Sequence, residues 1–158
     1  MAELKLIDAA LLDEVSAEAK ANPRLRKNRN FHPTDDHPGH RLLNAVEPGT
    51  YVRPHCHLDP LMDETMVVLR GCLGLVTFDA AGQVLRGVIL GPGGTALGVD
   101  IPHGTWHTVL ALEPNTVFLE AKAGPYLPLT AEEKSTWAPA EGAPEVAAYL
   151  AWLEGLFA

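Results

Sequence analysis

Between residues 40 and 123, short apolar runs alternate with clusters of turn residues. "HRLLNAVE", "ETMVVLRG", "LGLVTFD", "QVLRGVIL", "TALGVDI", "WHTVLAL" and "NTVFLEAKA" are separated by "EPGT", "DAAG", "GPGG", "PHG" and "EPN". The runs are short and β-prone, and the breaks are rich in Gly, Pro, Asn and Asp. Seven or more strands at this spacing predict an all-β core, an antiparallel sandwich or barrel rather than a parallel α/β sheet. "FDAAGQV" reads as a hairpin with glycine in its turn. On the N-terminal side, Leu4, Ile7, Leu11, Leu12 and Val15 form a helical stripe. It predicts a helix within residues 1–22, ending near Asn22-Pro23 because the residue before proline avoids helical dihedrals. On the C-terminal side, a proline-rich stretch leads to a helix within 143–157. Pro144 lies in its first turn, and Val146, Tyr149, Leu150, Leu153 and Leu156 or Phe157 form its apolar face.

The bulk properties narrow this picture. At 158 residues the chain is long enough for one domain with its own core, spanning 1–158 with the barrel at 40–123. A net charge of −8 argues against a general nucleic-acid partner, which would need a basic footprint. Two cysteines, Cys56 and Cys72, are too few for a disulfide framework. The acidic, amphipathic start is unlike a signal peptide, and no apolar run reaches the ~18 residues of a membrane span. A cytoplasmic protein without nucleic-acid or membrane partners is the expectation. Sheet edges and flanking helices offer surfaces for a homodimer.

The chemistry concentrates in "PHCHLDPLMDET" (residues 54–65) and "IPHGTWHTVLAL" (101–112). Alternate side chains of a strand share a face. Tyr51, Arg53, His55 and His57 therefore point one way if Pro54 introduces no bulge, and Cys56 points the other, into packing. An antiparallel return could bring Glu64 beside the two histidines, and His107 opens a later strand. Imidazoles with one carboxylate suit a divalent transition metal: zinc, iron, nickel, manganese or cobalt. Four such ligands leave coordination positions open for water or substrate. His-x-His alone is weak evidence; its combination with Glu64, Gly71 and "PHGTWH" in an all-β context makes a metal site the better reading.

These residues resemble the two cupin motifs. Gly49, His55, His57, Glu64 and Gly71 take the places of the first, and Pro102, Gly104 and His107 those of the second. Six residues separate His57 from Glu64, where the usual motif has three or four, so the carboxylate either touches the metal or stands back from it. Ala96 and Ala111 occupy places usually held by glycine and asparagine. "NPRLRKNRNFHP" before the barrel and "GPYLPLTAEEKSTWAPAEGAPEVAAYLAWL" after it are similar to WbuC-type cupin-fold metalloproteins. The resemblance implies a double-stranded β-helix, a jelly-roll-like barrel, with His55, His57, Glu64 and His107 around a metal. It also implies an association with bacterial surface-polysaccharide biosynthesis. It supplies no reaction, because the fold hosts isomerases, epimerases, lyases, dioxygenases and non-catalytic binders.

Candidate ligand contacts lie around this centre. Five of the twelve basic residues fall at Lys20, Arg24, Arg26, Lys27 and Arg29. They read either as an anion clamp over the barrel mouth or as a solvated segment paired with the acidic helix. Asn30 and His32 follow, and His32 is a candidate acid or base with an ordinary pKa of ~6.5. Arg53 needs an acidic partner if it enters the interior. Glu120 is a candidate for that partner, but the favoured reading turns it and Lys122 to solvent. His103 and Trp106 read as a turn residue and a packing residue, and His37 and His40 have no clear role. Two functions follow: a metalloenzyme acting on a small anionic or sugar-derived molecule, or a metal-dependent metabolite-binding module.

Overall fold

A computed structural model describes residues 4–158. In chain order the elements are α1 (Ala9–Ala21), β1 (Arg26–Asn30), β2 (Gly39–Val46), β3 (Glu64–Arg70), β4 (Leu73–Phe78), β5 (Val84–Leu90), β6 (Gly98–Ile101), β7 (Trp106–Ala111), β8 (Thr116–Ala123) and α2 (Val146–Gly155). The strands form two antiparallel sheets, ordered β1-β2-β8-β3-β6 and β5-β4-β7. Among the described residues no helix is long and apolar enough to cross a membrane.

The facing sheets bury Val46, Met66, Val68, Leu73, Leu75, Leu90, Ile101, Val109, Ala111 and Phe118 between them. The helices then cover the outer faces. Val15 and Ala19 of α1 pack on Leu43, Ala45 and Val117. Leu150 and Leu153 of α2 pack on Val76, Phe78 and Leu110. Double coverage explains why β2 and β7 read as near-continuous apolar runs rather than alternating ones. Leu42, Asn44 and Val46 share the inner face, while Leu43 and Ala45 meet α1.

The helix α1 starts later than its apolar stripe. Asp8 accepts a hydrogen bond from the Leu11 N–H at 3.0 Å and caps it, leaving Leu4 and Ile7 exposed before the first turn. The segment "RKNRN", which reads as a basic loop, is the edge strand β1. It has almost no apolar residues, and its conformation comes from pairing with β2, Asn28 opposite Asn44.

The turn from β3 to β4 shows how closely the backbones approach. Gly71 has φ of +80°, and a Cβ built there would lie 2.7 Å from the Thr116 Cα. Both the left-handed conformation and the contact demand glycine. Gly71→Ala is therefore expected to cost about 2–3 kcal/mol, measured as a lowered urea midpoint with an unchanged m-value.

Candidate metal centre

The four sequence-predicted ligands come from both sheets. Glu64 is the first residue of β3, in the five-stranded sheet, and His107 the second of β7, in the three-stranded one. His55 and His57 lie on the irregular segment between β2 and β3. A reciprocal backbone pair fastens it to β7: His55 N–H to His107 O at 3.0 Å, and His107 N–H to His55 O at 2.9 Å. The "PHG" turn clamps the next residue, with the Gly104 N–H donating to His57 O at 2.7 Å. The turn itself needs glycine at φ of +75°.

Two rings are oriented by their own backbone. His55 Nδ1 lies 2.9 Å from Arg53 O, and His107 Nδ1 lies 2.9 Å from Thr105 O. A carbonyl only accepts, so each Nδ1 carries the proton and each Nε2 keeps its lone pair. Ligand atoms of His55, His57 and Glu64 lie within 4.8 Å of one another. His107 lies outside that mutual group but touches its carboxylate, with Nε2 3.1 Å from Glu64 Oε2. Both of those atoms are buried, yet they are not aligned for a hydrogen bond with each other or with any other described group. Their proximity without a bond is the geometry of two donors converging on a third centre.

The carboxylate sits in a dense electrostatic setting. His57 Nε2 is 2.9 Å from Glu64 Oε1, and Lys122 Nζ donates to the same oxygen at 3.1 Å. Burial alone pushes the Glu64 carboxyl up, but His107, His57 and the Lys122 ammonium outweigh it and hold it well below the usual carboxylate range. Burial likewise disfavours a charged Lys122, and Glu120 and Glu64 overcome that and raise its pKa. Burial is the main reason His55 is pushed down to about 3, reinforced by His107. Glu120 is 2.7 Å from Lys122 and accepts from the Asn44 amide at 2.7 Å.

These groups line a cavity of about 270 Å³ between the sheets. Its inner-face residues follow from strand register. His40, Lys122 and Glu64 form one cross-strand row, and Leu42, Glu120 and Met66 the next. Val46, Val52, Val109 and Phe118 supply apolar wall, and Pro125, Tyr126, Leu127 and Leu129 also line the cavity.

The other predicted residues divide. Glu120 faces the interior and is buried, rather than turning to solvent. Arg26 lines the cavity, donating to Tyr51 O at 2.8 Å and to Glu141 at 3.0 Å. Arg29 turns to α1 and pairs with Glu14 at 2.8 Å and Glu18 at 2.5 Å. Asn30 and His32 line an adjoining cleft. Arg53 departs from the expected shared face. Val52, His55 and His57 line the cavity, whereas Arg53 turns out to donate to Ser135 O. The three-residue step from Val52 to His55 contains Pro54, whose carbonyl instead binds the Ser135 N–H at 3.1 Å; the local irregularity breaks the two-residue alternation. Sequence reasoning missed His40, Asn44 and Lys122. The first two left a readable signal: polar side chains four positions apart, hence on one face of the same strand.

The architecture has relatives among solved structures. KdgF from Halomonas sp. is 20% identical with a TM-score of 0.50, over 65% of this chain and 82% of its own. A conserved protein of unknown function from Streptococcus pyogenes is 12% identical with a TM-score of 0.52, over 80% of this chain and 93% of its own. A cupin-2 domain protein from Shewanella frigidimarina is 22% identical with a TM-score of 0.46, over 62% of this chain and 80% of its own. No curated protein sequence matches. The fold is the cupin jelly roll with a helix at each end. Residues 7–90, more than half of the chain, match the sequence profile of a family described as a domain of unknown function (DUF6016), and the protein belongs to that family.

Proposed function

We propose that His55, His57, Glu64 and His107 hold one divalent transition metal and that the cavity above it receives a small metabolite. The observation that carries this reading is the pair of buried, unbonded atoms, His107 Nε2 and Glu64 Oε2, 3.1 Å apart beside two further imidazoles. Buried polar atoms without partners are costly, and a cation between them removes the cost. The donor set, nitrogen with one carboxylate oxygen, suits zinc, iron, nickel, manganese or cobalt.

When bound, such a cation supplies Lewis acidity or a redox centre toward an oxygen-bearing ligand. The chain's own residues prepare the site for it. Arg53 O and Thr105 O face the two Nδ1 atoms, leaving each Nε2 turned away from the backbone. Lys122 steadies Glu64, and Asn44 with Glu120 steadies Lys122. The apolar wall excludes water from the inner end. The favoured reading is a WbuC-type metalloenzyme acting on a small anionic or sugar-derived metabolite, linked to surface-polysaccharide biosynthesis. A metal-dependent binding module is the second reading, supported by the internal pairing of every charged group along the inner wall.

Elemental analysis of the purified protein is expected to find about one metal per chain, lost in H55A/H107A while the circular dichroism of the β-core persists. Stoichiometric metal retained in that double variant would overturn the site. A second expectation concerns pH. The unfolded His55 titrates at ~6.5 and the folded one at about 3. Between those values the unfolded chain binds a proton that the folded chain refuses, so stability falls as pH falls. The metal-free protein should lose up to about 1 kcal/mol per pH unit from this group between pH 6.5 and 5, above the carboxylate range. Denaturant titrations with chelator present should show a flatter slope for His55→Gln.

A further inference from the structure

The metal cavity does not end at Lys122. A second cleft of about 220 Å³ is lined by Asn28, Asn30, His32, Asp35, His40, Leu42, Lys122 and Tyr126. Asn28, His40, Lys122 and Tyr126 also line the metal cavity, so the two spaces share a wall and follow one another along the same sheet. Strand register gives the span. His40 and Lys122 are cross-strand partners, as are Lys122 and Glu64. Strands lie ~4.8 Å apart, which puts β2 about 10 Å from β3 and β1 about 14 Å from it.

Two buried histidines and two exposed asparagines supply the polar groups of the cleft. His32 and His40 are 6% and 4% exposed, with rings stacked 3.9 Å apart. His32 uses Nδ1 on the Arg41 backbone and His40 uses Nε2 on Asp35 O. Among the described residues His32 Nε2 and His40 Nδ1 have no hydrogen-bond partner, and neither do the side-chain amides of Asn28 and Asn30. Those amides project from one face of β1, two residues apart. The supply is two imidazoles and two amides beside one phenol, Tyr126.

Charge decides which chemistry fits. The two cations at hand are already paired, Lys122 with Glu64 and Glu120, and Arg26 with Glu141. Asp35 stands on the cleft wall. A phosphate or diphosphate would find no free cation here, and such groups ordinarily demand one. Hydroxyl groups are served well by amides and imidazoles, each of which can donate and accept.

We infer that the cleft is a second subsite, taking a neutral, hydroxyl-rich group of a ligand about 10 Å or more in length whose other end reaches the metal centre. The ligand is thus of disaccharide or substituted-monosaccharide size. This deepens the proposed function and rests on it only for the metal-facing end.

The test uses the full-length, metal-loaded protein with three probes: cellobiose, glucuronate and inorganic phosphate. Saturable shifts of the Asn28 and Asn30 side-chain amide signals in nitrogen-15 spectra are expected with cellobiose or glucuronate, and none with phosphate. The double variant N28A/N30A should bind the responding sugar at least tenfold more weakly while keeping its metal content. Amides that stay silent with both sugars, shifts produced by phosphate, or wild-type affinity in the double variant would each overturn the subsite. Metal content measured on the same samples separates the two readings. A sugar response in protein that binds no metal removes the metal centre and keeps the subsite; bound metal with silent amides does the reverse.

Discussion

Glu64 is a carboxylate buried between two sheets, and the interior around it is arranged to keep it charged. Desolvation opposes that charge, and three neighbours answer it: His57, His107 and Lys122. Lys122 in turn needs Glu120, and Glu120 takes a hydrogen bond from Asn44. One buried charge thus recruits residues from β3, β7, β8 and β2, and from the segment before β3. Partial removal of such a network is costlier than its absence, because each member leaves another uncompensated.

The sandwich makes this possible by covering part of each outer face. With α1 on Leu43, Ala45 and Val117 and α2 on Val76, Phe78 and Leu110, apolar packing is found outside as well as between the sheets, and part of the inner faces is free for polar chemistry. The three-stranded sheet contributes His107, and the five-stranded sheet contributes the row from His40 through Lys122 to Glu64. The proposed metal centre at this junction would draw on both sheets at once, so its geometry would depend on their separation. The reciprocal backbone bonds between His55 and His107 hold that junction where the segment carrying the histidines is otherwise irregular.

Much of the fold was readable because strand and turn signals are local. The run of short strands, the glycine of the 79–83 hairpin and the amphipathic C-terminal segment all carry their own periodicity. β1 was not readable, since "RKNRN" becomes a strand only by pairing with β2. The ligand types and their motif spacing were likewise visible, while the direction of Arg53 was not. Its side chain follows Pro54, which departs from strand alternation when its neighbours bond to the 133–135 segment. The role of the basic cluster resolves residue by residue: Arg29 reaches the acidic helix, and Arg26 reaches the cavity wall.

By itself the sequence determined an all-β core flanked by helices, and singled out three histidines and a glutamate as candidate metal ligands. Periodicity and side-chain chemistry are properties of short stretches and survive without knowledge of the fold. Only the tertiary structure decided that His40, Asn44 and Lys122 face the same interior and that Glu120 is buried. It alone joined the cavity beside Glu64 to a polar cleft beside β1. Those outcomes depend on which strands lie next to each other and in what register, and residues 76 positions apart, such as Asn44 and Glu120, meet only when the sheet has formed.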